Sequence, residues 1–195
     1  MSKFLDIDGL EYYTQQFKPY LVESVNNGIK NLLDCSLETL KSLNPYSATY
    51  QFTWSNNVAT SGFGVTFTIN TDSSISVSAN SSTKDVWFKL SNNFIYSANT
   101  DYILSGCPQG GSTSSYFIES DSLNIRDTGN SATIVCTSEY TDNIFICVKA
   151  SSTFDNYTFY PMLCTKAAWT ISHTYQPYNK MIASQSEILD VFRQS

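Results

Sequence analysis

The stretch from Gly64 to Asn80, GVTFTINTDSSISVSAN, alternates its side chains with a period of two. Phenylalanine, valine and isoleucine alternate with glycine and threonine over 63–69, and isoleucine, valine and alanine alternate with serine over 75–79. Such alternation places apolar side chains on one face of a strand and polar side chains on the other. The intervening NTDSS has the composition of a tight turn. The stretch therefore predicts a β-hairpin with one buried face.

The same period recurs along the chain. Val86, Phe88 and Leu90 alternate with Trp87 and Lys89. Further strands are expected at 101–106, 114–120, 131–137, 143–149 and 157–164. Short strands separated by turns of Gly, Asn, Asp and Ser are typical of sandwiches and jelly rolls. We therefore expect a mainly β protein whose residues 34–178 form an antiparallel β-sandwich of the jelly-roll type.

Helical patterns flank this β region. Residues 1–33 carry one apolar stripe at three- or four-residue spacing, which predicts a helical segment for attachment or oligomerisation. SLETLKSL, at 36–43, predicts a short helix. Residues 179–195, with three apolar side chains on one helical face, predict a C-terminal helix. The stripe of the first segment consists of Leu10, Tyr13, Phe17, Leu21, Val25, Ile29 and Leu32.

Composition and charge exclude several classes of protein. Hydrophobic residues make up 42% of the 195 residues and charged residues 14%, with 13 Tyr and 12 Phe. That balance favours a β-rich extracellular or virion module. The net charge of -6, without a basic patch, argues against nucleic acid as a partner. Membrane insertion is not expected, because no apolar run approaches the roughly 18 residues required. The N-terminus lacks a signal peptide's apolar core, so we expect synthesis in a cytosol.

Residues that usually carry catalysis or bind metals are sparse. His173 is the single histidine, and the five cysteines contain no CxxC pair, so we expect neither a metal nor a cofactor. Cys136 and Cys147 lie in apolar strands and should be buried. The carboxylates are scattered among turns, and no pair suited to glycoside hydrolysis stands out. These observations predict a protein that is not an enzyme.

Trp87 is the strongest candidate for ligand binding. It alternates to the face opposite the apolar side chains of its strand and stands between Asp85 and Lys89. An exposed tryptophan among charged residues is suited to stacking on sugar rings. The competing interpretation is that a helix or a neighbouring subunit covers this face. Tyr116 and Trp169 complete the predicted carbohydrate-binding set, although the closing segment around Trp169 favours packing over ligand binding for that residue.

Several stretches resemble proteins of bacteriophages. FLDIDGLEYYTQQFKPYL, at 4–21, resembles N-terminal segments of tail and other structural proteins from phages of Gram-positive gut bacteria. The stretches 31–44, 64–80, 102–118 and 159–178 resemble a recurrent phage module similar to carbohydrate-binding jelly rolls. The resemblance implies a non-catalytic virion protein, often trimeric, that is suited to attachment on host glycans. It carries over no individual ligand-binding residue.

Two functions follow from this resemblance. The first is a tail-fibre or receptor-binding protein that attaches to a glycan of the host cell surface. The alternative is a purely structural virion protein, such as a head fibre or a capsid decoration protein. Either protein would reside in the virion after synthesis in the host cytoplasm. Its expected partners are further copies of itself and, through the N-terminal helix, other virion proteins.

The apolar stripe predicts a homo-oligomer, most simply a trimer, with Leu10, Phe17, Leu21 and Val25 near the shared axis. An exposed stripe is unfavourable because burying each large apolar side chain gives about 1.5–3 kcal/mol. Light scattering should therefore show an oligomer for the full chain and a monomer for a shortened chain that begins at Asn31. Monomers in both cases, or an assembly that survives the shortening, would mean that the stripe packs on its own subunit.

Overall fold

The computed structural model of the protein describes residues 31–171, 173–175 and 177–178. Within that part, twelve β-strands and two short helices are present, and all strand pairs are antiparallel. The expectation of a mainly β, sandwich-like protein is confirmed. In chain order the elements are α1 (Leu37–Leu43), β1 (Thr53–Ser55), β2 (Val58–Thr60), β3 (Val65–Ile69), β4 (Ile75–Ala79), β5 (Val86–Tyr96), β6 (Thr100–Ser105), β7 (Tyr116–Ser120), β8 (Ile125–Asp127), β9 (Ala132–Cys136), β10 (Tyr140–Val148), β11 (Phe154–Phe159), β12 (Met162–Thr165) and α2 (Lys166–Ile171).

The strands form three sheets. The five-stranded sheet has the order β1-β2-β3-β4-β11, the four-stranded sheet β5-β10-β7-β8, and the three-stranded sheet β12-β6-β9. The predicted hairpin is confirmed, because β3 pairs with β4 from Val65 opposite Ala79 to Ile69 opposite Ile75. Its turn is closed by the Asp72 carboxylate, which accepts a hydrogen bond from the Ser74 amide at 3.0 Å.

The five-stranded and four-stranded sheets pack through their apolar faces. Phe67 of β3 stacks on Phe88 of β5 with ring centroids 4.3 Å apart and an interplanar angle of 13°. Phe52 meets both rings edge-on, at 5.9 and 5.5 Å. Each of these three rings is at most 2% exposed. Cys136 and Cys147 are also buried, as predicted.

The strand predicted over 157–164 is wrong as a single element. β11 ends at Phe159, β12 begins at Met162, and the two belong to different sheets. The break falls at Pro161, which has no amide hydrogen to donate to a strand ladder. Gly106 approaches this break closely, since its carbonyl accepts a hydrogen bond from the Tyr160 amide at 2.8 Å. A Cβ on Gly106 would lie only 1.8 Å from the Tyr160 carbonyl oxygen, so no larger side chain fits there.

The predicted helix over 36–43 is confirmed as α1, but residues 31–33, where the first predicted helical segment should end, are not helical. The Leu32 amide donates to the Leu163 carbonyl of β12 at 2.7 Å. The Asn31 side-chain oxygen accepts from the Leu33 amide at 3.0 Å. Leu33 is fully buried in the main core. This segment therefore gains its hydrogen bonds from a strand instead of from helical neighbours.

The remaining predictions on helices lie outside the described residues. They concern the stripe residues Leu10, Phe17, Leu21 and Val25 and the C-terminal helix over 179–195. They stay predictions. The described residues, from 31 to 178, belong to one compact unit.

Removing the ring that joins the two sheets should destabilise the fold strongly. We expect Phe88→Ala to lower the free energy of unfolding by about 3–5 kcal/mol, because it leaves a cavity between Phe67 and Phe52. Urea denaturation followed by fluorescence measures this change. Ile95→Ala, at a side chain that is 57% exposed, is the control and should change stability by less than about 0.5 kcal/mol. Similar losses for both variants would contradict the stacked core.

Candidate functional site

The outward face of the four-stranded sheet carries two rows of paired side chains. Trp87 of β5 lies opposite Cys147 of β10, and Cys147 lies opposite Phe117 of β7. In the next row, Lys89 lies opposite Phe145, which lies opposite Glu119 and then Arg126 of β8. Alternate residues of a strand share a face. Both rows therefore project away from the core that contains Phe88.

The aromatic side chains of this face form a small apolar layer. The Trp87 ring centroid lies 5.7 Å from that of Phe145, at an interplanar angle of 88°. It lies 6.1 Å from Phe117, at 84°. Cys147 and Phe117 are at most 1% exposed, whereas Trp87 and Phe145 are half-buried. Trp87 thus packs on its own sheet and still keeps part of its surface accessible.

Two ion pairs flank the aromatic layer. The Lys149 ammonium group donates to the Asp85 carboxylate. Arg126 donates through Nε to Oε1 of Glu119 at 2.6 Å, and its guanidinium lies 5.0 Å from the Phe117 ring centroid. Burial opposes ionisation of Asp85, but its hydrogen bonds from Lys149 and a backbone amide outweigh that effect and lower its pKa. Asp85 and Glu119 therefore each have a cation beside them.

The other oxygen of Glu119 has no hydrogen-bond partner within the described part of the chain. The side chain is 2% exposed. Burial raises the pKa of this carboxyl above its ordinary value of 4.5, and the contact with Arg126 only partly offsets that effect. Ionisation of Glu119 is consequently less favourable in the folded protein than in the unfolded chain.

The loop that follows α1 is fixed along the edge of the sheet at β5. The side-chain oxygen of Asn44 accepts from the Lys89 amide at 2.8 Å, and its side-chain nitrogen donates to the Lys89 carbonyl at 2.9 Å. The Asn44 carbonyl accepts from the Trp54 indole at 2.8 Å. β5 is an edge strand, so no neighbouring strand among the described residues bonds this side of Lys89. The Asn44 side chain provides the two hydrogen bonds instead.

A groove of about 230 Å³ lies between this loop and the outward face of the sheet. It is smaller than the roughly 300–1,000 Å³ typical of pockets for drug-sized ligands, so it suits a single ring-sized group. Among its lining residues, Lys89 is the one with a charged side chain. Tyr46, which stands in the chain between the lining residues Pro45 and Ser47, is 70% exposed. The lining comprises Leu43, Asn44, Pro45, Ser47, Tyr50, Phe52, Trp87, Lys89 and Phe145.

A second hollow, of about 400 Å³, lies on the five-stranded sheet between Gly64, Ser78 and Asp155. Its carboxylate is already engaged, because Asp155 accepts a hydrogen bond from the Ser78 hydroxyl at 2.8 Å. Its one aromatic lining residue is Phe154. The hollow is larger than the groove but offers a ring-shaped ligand less aromatic surface.

The structure brings together part of the predicted binding set. Trp87 and Lys89 line the groove. Asp85 lies on the same outward side, with its carboxylate engaged by Lys149. Tyr116 and Trp169 do not join them.

Tyr116 points to the inner side of β7. It pairs with Val148 in an inward row, is 5% exposed, and donates its hydroxyl hydrogen to the Gln109 carbonyl at 3.0 Å. Tyr116 therefore lies on the face opposite Trp87 and outside the groove lining, and its predicted role in carbohydrate binding stays a prediction. The physical reason is that Tyr116 precedes Phe117 by one residue, so the two side chains project to opposite faces.

Trp169 lies on α2, next to the three-stranded sheet. It stacks on His173 with ring centroids 4.8 Å apart and packs against the small cluster of Ile103, Met162 and Cys164. This is the packing role that the sequence left open. It places Trp169 outside the lining of the groove.

Phe145 and Tyr50 are lining residues that the sequence analysis missed. Phe145 was recoverable, because alternation within 143–149 places it on the face opposite Ile144 and Ile146. Tyr50 lies in a loop, where no periodicity identifies a face. Burial raises the pKa of Tyr50, and the charges of Cys147, Asp121 and Asp85 add to that effect.

Comparisons with known proteins leave the family open. The sequence matches no protein-family model, no curated protein and no solved structure. Neither of the two helices in the described residues is long and apolar enough to cross a membrane. No cluster of three or more metal-ligating side chains occurs among those residues.

Glu119 should produce a measurable pH dependence. Because its pKa is raised in the folded state, ionisation favours unfolding as the pH rises above about 4.5. We therefore expect the free energy of unfolding of the wild type to fall relative to that of Glu119→Gln between pH 4.5 and the raised folded pKa. Urea denaturation of both proteins at a series of pH values measures the difference. A difference that is constant with pH, or that changes in the opposite direction, would contradict the buried, unpaired oxygen.

Proposed function

We propose that the protein is a non-catalytic phage virion protein of the tail-fibre or receptor-binding type, which attaches to a glycan of the host cell surface. The observation that carries this proposal is the groove in which Trp87 and Phe145 stand beside the polar side chains of Asn44 and Lys89. In this proposal the sandwich is a carbohydrate-binding domain of the jelly-roll type. The two packed antiparallel sheets are compatible with that architecture.

The chemistry of the groove suits a sugar ring. A pyranose has a face of C–H groups, which an aromatic side chain accommodates, and a rim of hydroxyl groups, which require hydrogen-bond partners. The groove combines aromatic surface from Trp87 and Phe145 with a carboxamide at Asn44, a hydroxyl at Ser47 and an ammonium group at Lys89. Both kinds of contact are therefore available within a single ring-sized volume.

The virion assignment depends on the resemblance of 4–21 to phage structural proteins. In this proposal the N-terminal segment holds several copies together, as a homotrimer, and joins them to other virion proteins. Weak glycan contacts gain strongly from such multivalency, since a second contact made by the same assembly is effectively intramolecular.

A glycan array first identifies the glycans that the wild type binds. We expect Trp87→Ala to bind these glycans about tenfold more weakly, which corresponds to a loss of about 1.4 kcal/mol of binding free energy per site. The reason is that the substitution removes the largest aromatic surface of the groove. Trp169→Ala is the matched control, because it deletes the same side chain at α2, and it should bind like the wild type. Circular dichroism of both variants establishes that they fold. Equal binding by Trp87→Ala and the wild type would contradict the proposed site.

A purely structural virion protein is the second candidate. The observation that favours it is the edge-on packing of Trp87 against Phe117 and Phe145, which explains the tryptophan without any ligand. In that case a folded, oligomeric wild type retains no glycan on the array. The main effect of Trp87→Ala would then be a lower free energy of unfolding.

A further inference from the structure

We infer that the ligand of the groove is an acidic glycan, and that Lys89 binds its anionic substituent, a carboxylate or a phosphate. This inference rests on the proposed function, because it assumes that a sugar ring occupies the groove beside Trp87. It adds the chemical class of that sugar and the residue that selects it.

The first argument is the distribution of charge on the outward face. Asp85 is paired with Lys149, and Glu119 is paired with Arg126. Lys89 takes part in no ion pair within the described residues. Among the charged side chains of the two rows, Lys89 is therefore the one without an ion-pair partner in the described residues, on a chain whose net charge is -6. An anionic group would complete this arrangement, whereas a neutral sugar would leave it unchanged.

The second argument is the position of the ammonium group. Lys89 Nζ lies 5.7 Å from the centroid of the Phe145 ring, so the cation stands at the aromatic surface on which a sugar would stack. Its one hydrogen bond in the described residues goes to the neutral side-chain oxygen of Asn92, at 3.2 Å. An ammonium group has three donors, so further donors remain for a ligand oxygen.

The third argument is that the backbone of Lys89 is held in place. Asn44 bonds both its amide and its carbonyl, which fixes the point from which the side chain extends. The flexible part of the side chain can then reach an anion without movement of the groove. None of the residues that line the groove carries a carboxylate, so no carboxylate competes for Lys89 within the groove itself.

The expected effect is modest but selective. Accessible ion pairs contribute little in water, so we expect the wild type to bind an acidic glycan about fivefold more tightly than its neutral counterpart. Because salt screens such contacts, this preference should shrink at high ionic strength.

The experiment measures binding of the full chain to two matched pairs of glycans. One pair is an oligogalacturonate and its carboxyl-reduced form, and the other is a phosphorylated mannan and its dephosphorylated form. The first pair tests a carboxylate and the second tests a phosphate. We expect the wild type and Lys89→Arg to prefer the acidic member of at least one pair, and Lys89→Gln to lose that preference. Lys84→Gln is the matched control, since Lys84 Nζ stands 4.9 Å from the Phe63 ring and lies outside the groove lining.

The outcomes separate the inference from the proposed function. One outcome would overturn the inference and leave the proposed function standing. In that outcome, binding depends on Trp87 but is equal for the acidic and neutral members of both pairs, and Lys89→Gln does not change it. An acidic preference that survives Trp87→Ala would place the anion elsewhere and would also overturn it. If the folded wild type retains none of these four glycans or any glycan on the array, the proposed function fails and the inference fails with it.

Discussion

The pairing of β5 with β10 is the constraint on which both faces of the four-stranded sheet depend. Eight residue pairs join the two strands, from Val86 opposite Val148 to Tyr96 opposite Tyr140. This register places Phe88 against the five-stranded sheet and, one residue earlier, Trp87 against Phe145 on the outward face. A slip of one residue would exchange the two faces. The core that stabilises the fold and the groove proposed to bind a ligand therefore share one set of backbone hydrogen bonds.

A flat sheet face becomes a groove here because a loop is fixed beside it. Asn44 ends α1, bonds the backbone of Lys89 on both sides and receives the Trp54 indole. These bonds place Pro45, Ser47 and Tyr50 opposite the aromatic side chains of the sheet. The loop thus supplies hydrogen bonds to an edge strand and also the second wall of the site. Stability and proposed function are coupled at this asparagine.

The periodicity of the sequence predicted those features of the fold that depend on a single strand or helix. It identified the hairpin of β3 and β4, the helix over 36–43 and the opposite faces of Phe88 and Trp87. Periodicity gave wrong predictions where the backbone conformation depends on hydrogen-bond partners that are distant in the chain. The apolar run over 157–164 reads as one strand, but Pro161 cannot donate a hydrogen bond, and its two halves pair with different sheets. The non-helical segment at 31–33 likewise depends on hydrogen bonds to β12, which no local pattern contains.

By itself, the sequence determined that the chain builds antiparallel strands with one apolar face, because side-chain alternation is a local property of the backbone. It also singled out Trp87 and Lys89 as neighbours on one outward face. Only the tertiary structure decided that Tyr116 turns inward, that Trp169 packs on another sheet, and that Phe145 and Tyr50 join Trp87. The meeting of Phe145 and Tyr50 with Trp87 follows from strand register and from a loop that is anchored across 45 residues of the chain, at Asn44 and Lys89. Contacts of that range arise from packing, which a single strand does not encode.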